Sequence, residues 1–196
     1  MTVTSYRAFL DESSANRGPD HQEYLLCAAL VPAEQCDEIR EQLRPLLLPG
    51  QIKFHWTDEN DRRKHEIVRR IVELGPMSIV YSHLDARRNK TERYRRKTLE
   101  SVYHGLVSME IFDLTLECRS KTQDSYDVEH IVSLQGQGFD RRLRIHHLRG
   151  GDEPLLWIAD AVLGSLNAEY LGDNSYIDAL RSTLLIEERT PESLEV

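Results

Sequence analysis

Short apolar runs alternate along this chain with longer segments whose apolar residues recur at helical spacing, and that alternation limits the fold more than any other feature. Tyr6 to Asp11 and EYLLCAALV, residues 23–31, read as two adjacent antiparallel strands, joined by a loop SSANRGPDHQ with the turn signal Gly18-Pro19. After Pro32, AEQCDEIREQLRPLLL carries Ile39, Leu43, Leu46 and Leu47 at helical spacing, with an end or kink at Pro45. PGQIKFHWTDEN then forms a loop, and a helix over residues 59–74, capped by Thr57 or Asp58, stops at Gly75-Pro76. The pattern continues with a strand at 77–84, a helix at 90–109, a strand at 111–118, a helix near 124–134, a strand at 142–148 and a helix at 152–171. Strands interleaved with helices specify an α/β layer structure, here with a sheet of about five strands.

A chain of 196 residues can bury one substantial core. We expect one domain over residues 1–186 and a flexible acidic tail over 187–196 (EERTPESLEV), which has little to bury. No window approaches the roughly 18 apolar residues of a membrane helix. The N-terminal MTVTSYRAFLDES has no basic segment followed by a long apolar run, so the expectation is a cytoplasmic protein. Cys27, Cys36 and Cys118 form no C-x-x-C pair and read as buried thiols. The formal charge of −8 disfavours a protein that coats nucleic acid through broad positive potential, although local patches remain available.

Three acids stand in apolar surroundings. Asp11, with Glu12 beside it, follows the apolar AFL; Glu117 ends IFDLTLE; Asp160 is the only charge in LLWIADAVLGSL. On a helix whose stripe is Leu155, Ile158, Ala159, Val162 and Leu166, Asp160 falls about 60° past the stripe, at the rim of the packed face. Each acid alone is explained by solvent or by an arginine partner. Together, two acids at strand ends and one on a C-terminal helix make an all-oxygen set suited to hard cations, which take carboxylates and substrate phosphates as ligands. Two such ions roughly 3.5–4 Å apart can drive phosphodiester cleavage.

FLDES, the strand-end acid of LTLECRS and the lone acid of WIADAVLGSL, in this order from about residue 6 to residue 171, resemble the domain-of-unknown-function family 3800 among the ribonuclease H-like folds. The resemblance implies a ribonuclease H-like central mixed sheet flanked by helices, with Asp11, Glu117 and Asp160 as ligands for Mg²⁺ or Mn²⁺. Glu12 is a further catalytic candidate, but neighbours in a regular strand face opposite ways. The resemblance also puts the loop IKFHWTDEN near the acids, where Lys53 would contact a phosphate and His55 would bind one or move a proton. The alternative is a surface loop anchored by Trp56. Arg119 and Lys121, just past Glu117, are further substrate contacts.

Two basic runs, RRNKTERYRRK at 87–97 and RRKHEIVRR at 62–70, are either solvated helix faces or surfaces that track phosphates. Neither run carries the aromatic interleaving of a stacking platform. His146 and His147 point to opposite faces of one strand and make a poor chelate, and Asp152 and Glu153 read as caps of the last helix. There is no phosphate-cradling G-x-x-x-x-G-K, nucleophile elbow or zinc spacing. The expectation is a metal-dependent nuclease or related phosphodiester-acting enzyme with RNA or DNA as partner. The alternatives are a non-catalytic binding or regulatory module on the same fold and an α/β enzyme for a small phosphorylated molecule.

Overall fold

The computed structural model describes residues 5–87 and 91–195, so Arg88, Asn89 and Lys90 of the first basic run lie outside the described residues. Strand β1 (Tyr6–Arg17) pairs antiparallel with β2 (His21–Pro32) from Tyr6↔Pro32 to Arg17↔His21. The expected end of the first strand at Asp11 is therefore corrected: it runs six residues further (12–17). Polar residues persist there because two long strands satisfy each other's backbone groups without needing an apolar face. Cross-strand contacts reinforce the pairing, with Gln22 Nε2 donating to Ser14 Oγ at 2.5 Å and Arg17 Nε to Glu23 Oε2 at 2.7 Å. The loop shrinks to Gly18, Pro19 and Asp20, with Gly18 at a φ of 76° that glycine adopts freely.

β3 (Met77–Ala86) pairs antiparallel with β2, while β4 (Asp113–Glu117) lies parallel to β1 and β5 (Arg144–Leu148) parallel to β4. A sixth strand, β6 (Leu184–Arg189), runs parallel to β3 at the opposite edge, giving the order β5-β4-β1-β2-β3-β6. The boundary expected between residues 186 and 187 thus falls inside a strand. Glu187, Glu188 and Arg189 pair with Val80, Tyr81 and Ser82. Thr190 N then donates to Ser82 O, and the buried Thr190 hydroxyl meets His83 Nδ1 at 2.6 Å. A sheet edge with open N–H and C=O groups accepts a charged segment that has no core of its own to join.

The helices cover both faces. α1 (Cys36–Leu43), α2 (Asp61–Leu74), α5 (Leu156–Tyr170) and α6 (Ser175–Leu180) pack on the face that carries Phe9, Leu25, Cys27, Ala29 and Val80. α3 (Thr91–Ser108) and α4 (Lys121–Gly136) pack on the face that carries Ala8, Leu10, Leu26, Leu114 and Leu116. α1 gives way to a turn of 3₁₀ helix at Arg44–Leu46, where Pro45 breaks the α pattern. Asn60, not Thr57 or Asp58, caps α2 by accepting from Arg63 N at 3.1 Å. α4 begins earlier than the apolar pattern indicated because Ser120 and Gln123 form a reciprocal capping box.

α5 is not the one-striped helix its sequence suggested. It lies against β1 and β2 on one side and α2 and α6 on the other, and from Leu156 to Leu166 every residue but Asp160 is buried. A helix apolar all round is what such a sandwiched position requires. Among the described residues no helix is long and apolar enough to cross a membrane.

Candidate metal centre

Strand periodicity sets the site. Phe9 and Asp11 point to the α5 face of β1, whereas Ala8, Leu10 and Glu12 point to the α3 face. β4 runs parallel to β1 with Leu116 opposite Leu10, so Glu117 comes level with Asp11 on the α5 face. α5 packs on β1 from the same side and brings in Asp160. Three acids separated by more than forty residues at each step are thereby drawn to one face of the sheet.

Their mutual influence is electrostatic. Burial, then the charges of Glu117 and Asp160, push the Asp11 carboxyl well above the usual aspartate range, with Lys53 and Arg95 pulling the other way. Burial raises Asp160 too; the Trp56 amide, His55 and Lys53 offset this in part, and Glu117 adds to it. Asp11 Oδ1 accepts from the Glu12 amide at 2.7 Å and Asp160 Oδ2 from the Trp56 amide at 3.1 Å. Glu117 Oε1 is ion-paired with Lys53 Nζ.

The loop carrying Lys53 is held by its apolar neighbours. Phe54 is buried against Trp157 with ring centroids 5.5 Å apart, and Trp56 packs edge-on to Tyr176 at 5.0 Å. The Trp56 ring lies so close over Gly164 of α5 that a Cβ there would overlap it. With residues 54 and 56 fixed, Lys53 reaches Glu117 and His55 lies exposed beside Asp160. Gly150, after β5, completes the enclosure: a Cβ there would stand 2.5 Å from Glu117 Oε1 and 2.8 Å from Lys53 Cδ.

Glu12 is placed elsewhere. On the α3 face its Oε2 accepts from Tyr24 Oη at 2.6 Å and is ion-paired with Arg95 Nη1. Arg95, within the run read as a solvated or phosphate-tracking helix face, is 2% exposed and grips Asp127 through two bonds of 2.8 Å. Burial works to raise Asp127, but the bonds from Arg95 and His147, with the charge of Arg119, hold it below the usual range. Arg119 donates to Glu92 at 2.6 Å and to Asp127 at 3.1 Å, so its guanidinium is largely committed inside the protein. Lys121, in the first turn of α4, is exposed. Nothing in the residue types of 87–97 or 120–140 distinguished Arg95 and Asp127 from their exposed neighbours, so the sequence reading missed this network. Glu153 is buried and pairs with Arg40 at 2.8 Å.

A cleft of about 200 Å³ opens where the two faces meet, lined by Asp11, Glu12, Arg95, Glu117, Cys118 and Arg119. The donor chemistry on the Asp11 side fits a hard divalent cation: oxygen donors only, with negative charge that burial makes costly. The side chains do not stand as a finished cage. Among the described residues no group of three His, Cys, Asp or Glu side chains is arranged to hold a metal ion. Glu117 is drawn instead to Lys53.

Fold and site together define an α/β protein with a mixed six-stranded sheet, helices on both faces, and acids from β1, β4 and α5 on one face. No family model matches the chain and no curated protein matches it. It is similar to solved structures of ribonucleases H at 15% identity. These are a point mutant of Bst-RNase HIII at a TM-score of 0.40 and Bst-RNase HIII in complex with Mn²⁺ at 0.39, each alignment covering 91% of this chain and 55% of the other. A third is the complex of PCNA with RNase HII from Archaeoglobus fulgidus, at a TM-score of 0.40, covering 92% of this chain and 77% of the other. The chain thus spans about half the length of the RNase HIII chains it matches.

Proposed function

We propose that the chain is a metal-dependent nuclease, or a related phosphodiester-acting enzyme, of the ribonuclease H-like kind and of the domain-of-unknown-function family 3800 that its motifs resemble. The observation that carries this reading is the placement of Asp11, Glu117 and Asp160 on one sheet face, where burial first and the charges of the other two acids next push the Asp11 carboxyl above its usual range. Buried like charges without a matching cation are costly, and a bound dication is one of the few things that relieves them.

In this reading Asp11, Glu117 and Asp160 hold Mg²⁺ or Mn²⁺. When bound, the cation supplies Lewis-acid stabilisation of the phosphoryl oxygens and an activated water. The chain's own residues do the rest. The Trp56 amide orients the Asp160 carboxylate, Lys53 binds a non-bridging phosphate oxygen, and His55, exposed beside Asp160, passes a proton to or from the reacting group. RNA or DNA is the expected partner. Arg119, at the wall of the cleft, and Lys121, exposed in the first turn of α4, are the further substrate contacts in this reading.

The test incubates labelled single- and double-stranded RNA and DNA with Mn²⁺. Wild type should cleave at least one of these substrates, and Asp160→Ala should lose about 100-fold or more of that activity. The pairing of Glu117 with Lys53 favours a second reading, a non-catalytic nucleic-acid- or protein-binding module. That reading prevails if no substrate is cut and Mn²⁺ stabilises wild type no more than Asp11→Asn in a thermal shift.

A further inference from the structure

The ion pair between Lys53 and Glu117 is the feature of the site that metal ligation by the acids leaves unexplained. Both side chains are about four-fifths buried, at 21% and 20% exposure, so the pair is enclosed rather than a loose surface contact. Gly150 packs directly on it. The backbone around Lys53 is pinned by Phe54 and Trp56, while its four-carbon stem remains a flexible tether for a point charge. Lys53 is the cation that all three carboxylates share, and its ammonium sits on one of the oxygens that a dication would use.

Resting on the reading above, we infer that Lys53 is the resident counter-cation of the site: a divalent ion gains Glu117 only as Lys53 leaves it, and a phosphodiester oxygen is what Lys53 leaves for. Cation and phosphodiester therefore bind with positive linkage, each tightening the other by the same factor. Alone, the dication competes with the ammonium and binds weakly. With a phosphodiester present, the ammonium has a second anion to pair with and Glu117 is released. The arginines across the cleft do not take this part, because Arg95 and Arg119 are already matched by Glu12, Asp127 and Glu92.

The test titrates the full chain with MnCl₂ and reads free Mn²⁺ from its electron paramagnetic resonance signal. Lys53→Met should bind Mn²⁺ about 5-fold or more tighter than wild type. Lys53→Arg, which keeps the charge, should stay near wild type. Lys64→Met removes the same charge from over the Trp56 ring, 5.4 Å from its centroid, and should change affinity less than about 2-fold if the effect belongs to the pair rather than to net charge. Dimethyl phosphate should tighten Mn²⁺ binding to wild type, against chloride of equal ionic strength, and leave Lys53→Met unchanged. An unchanged or weaker affinity in a folded Lys53→Met, or no effect of dimethyl phosphate on wild type, overturns the inference. The metal site itself survives that result if Asp11→Asn abolishes Mn²⁺ binding. No Mn²⁺ binding by wild type or any variant overturns the reading beneath as well.

Discussion

Two aspartates in this protein show how partners decide the effect of burial. Asp127 is 3% exposed and held below the usual range because Arg95 meets it through two hydrogen bonds. Asp11 is raised, first by burial and then by the charges of two further acids, Glu117 and Asp160, which no such pair of hydrogen bonds offsets. Its folded value lies above the ordinary aspartate value of 3.8, so the native state holds the extra proton in the interval between them. The stability associated with that proton is fully present below the lower value and is lost as pH rises through the higher one. Asp11→Asn should therefore raise the melting temperature of the metal-free protein at neutral pH, at about 2–4 °C per kcal/mol for a chain of this size, and flatten its fall with rising pH. Melting curves between about pH 4 and pH 8 check this, and a neutral-pH loss of stability in the variant would contradict the repulsion assigned to Asp11. The sequence singled out Asp11 by its apolar approach and grouped it with Glu117 and Asp160, but the depth of its burial lay beyond the sequence.

At the scale of elements, α5 and the loop before α2 form one unit. The sequence marked α5 by its apolar length and by Asp160, and marked the loop by Trp56. It carried no sign that Trp56 lies across Gly164, a contact between positions more than a hundred residues apart that depends on the missing Cβ. Alanine normally stabilises a helix over glycine by about 1 kcal/mol. Gly164→Ala should do the reverse, costing about 1–3 kcal/mol, because the added methyl overlaps a ring held by Tyr176. Chemical denaturation measures the loss. A shift in tryptophan fluorescence should accompany it as Trp56 and, with it, Lys53 and the amide bound to Asp160 are displaced.

At the scale of the molecule, the two basic runs part company. α2 packs beside α5 on the face of the acids, and α3 lies beyond the sheet on the other. Arg62 and Arg69 on α2 are exposed, as are Arg93 and Arg96 on α3. If nucleic acid approaches the acids, Arg62→Glu with Arg69→Glu should weaken its binding by about 10-fold and reduce the salt dependence, while Arg93→Glu with Arg96→Glu should change it by less than about 3-fold. Equal losses would place the binding surface elsewhere. The sequence by itself determined the order and kind of the elements from Tyr6 to Tyr170, because periodicity, glycine and proline act over a few neighbouring residues. It also determined which acids were out of place. It read residues 12–17 and 187–189 as loop and tail, because a polar strand is recognisable only by the strand beside it. The tertiary structure alone decided that Asp11 and Glu117 share a face while Glu12 joins Arg95 on the other, and that Lys53 stands at Glu117. Those outcomes depend on strand register and on contacts between segments distant in the chain, and no local pattern of residues encodes either.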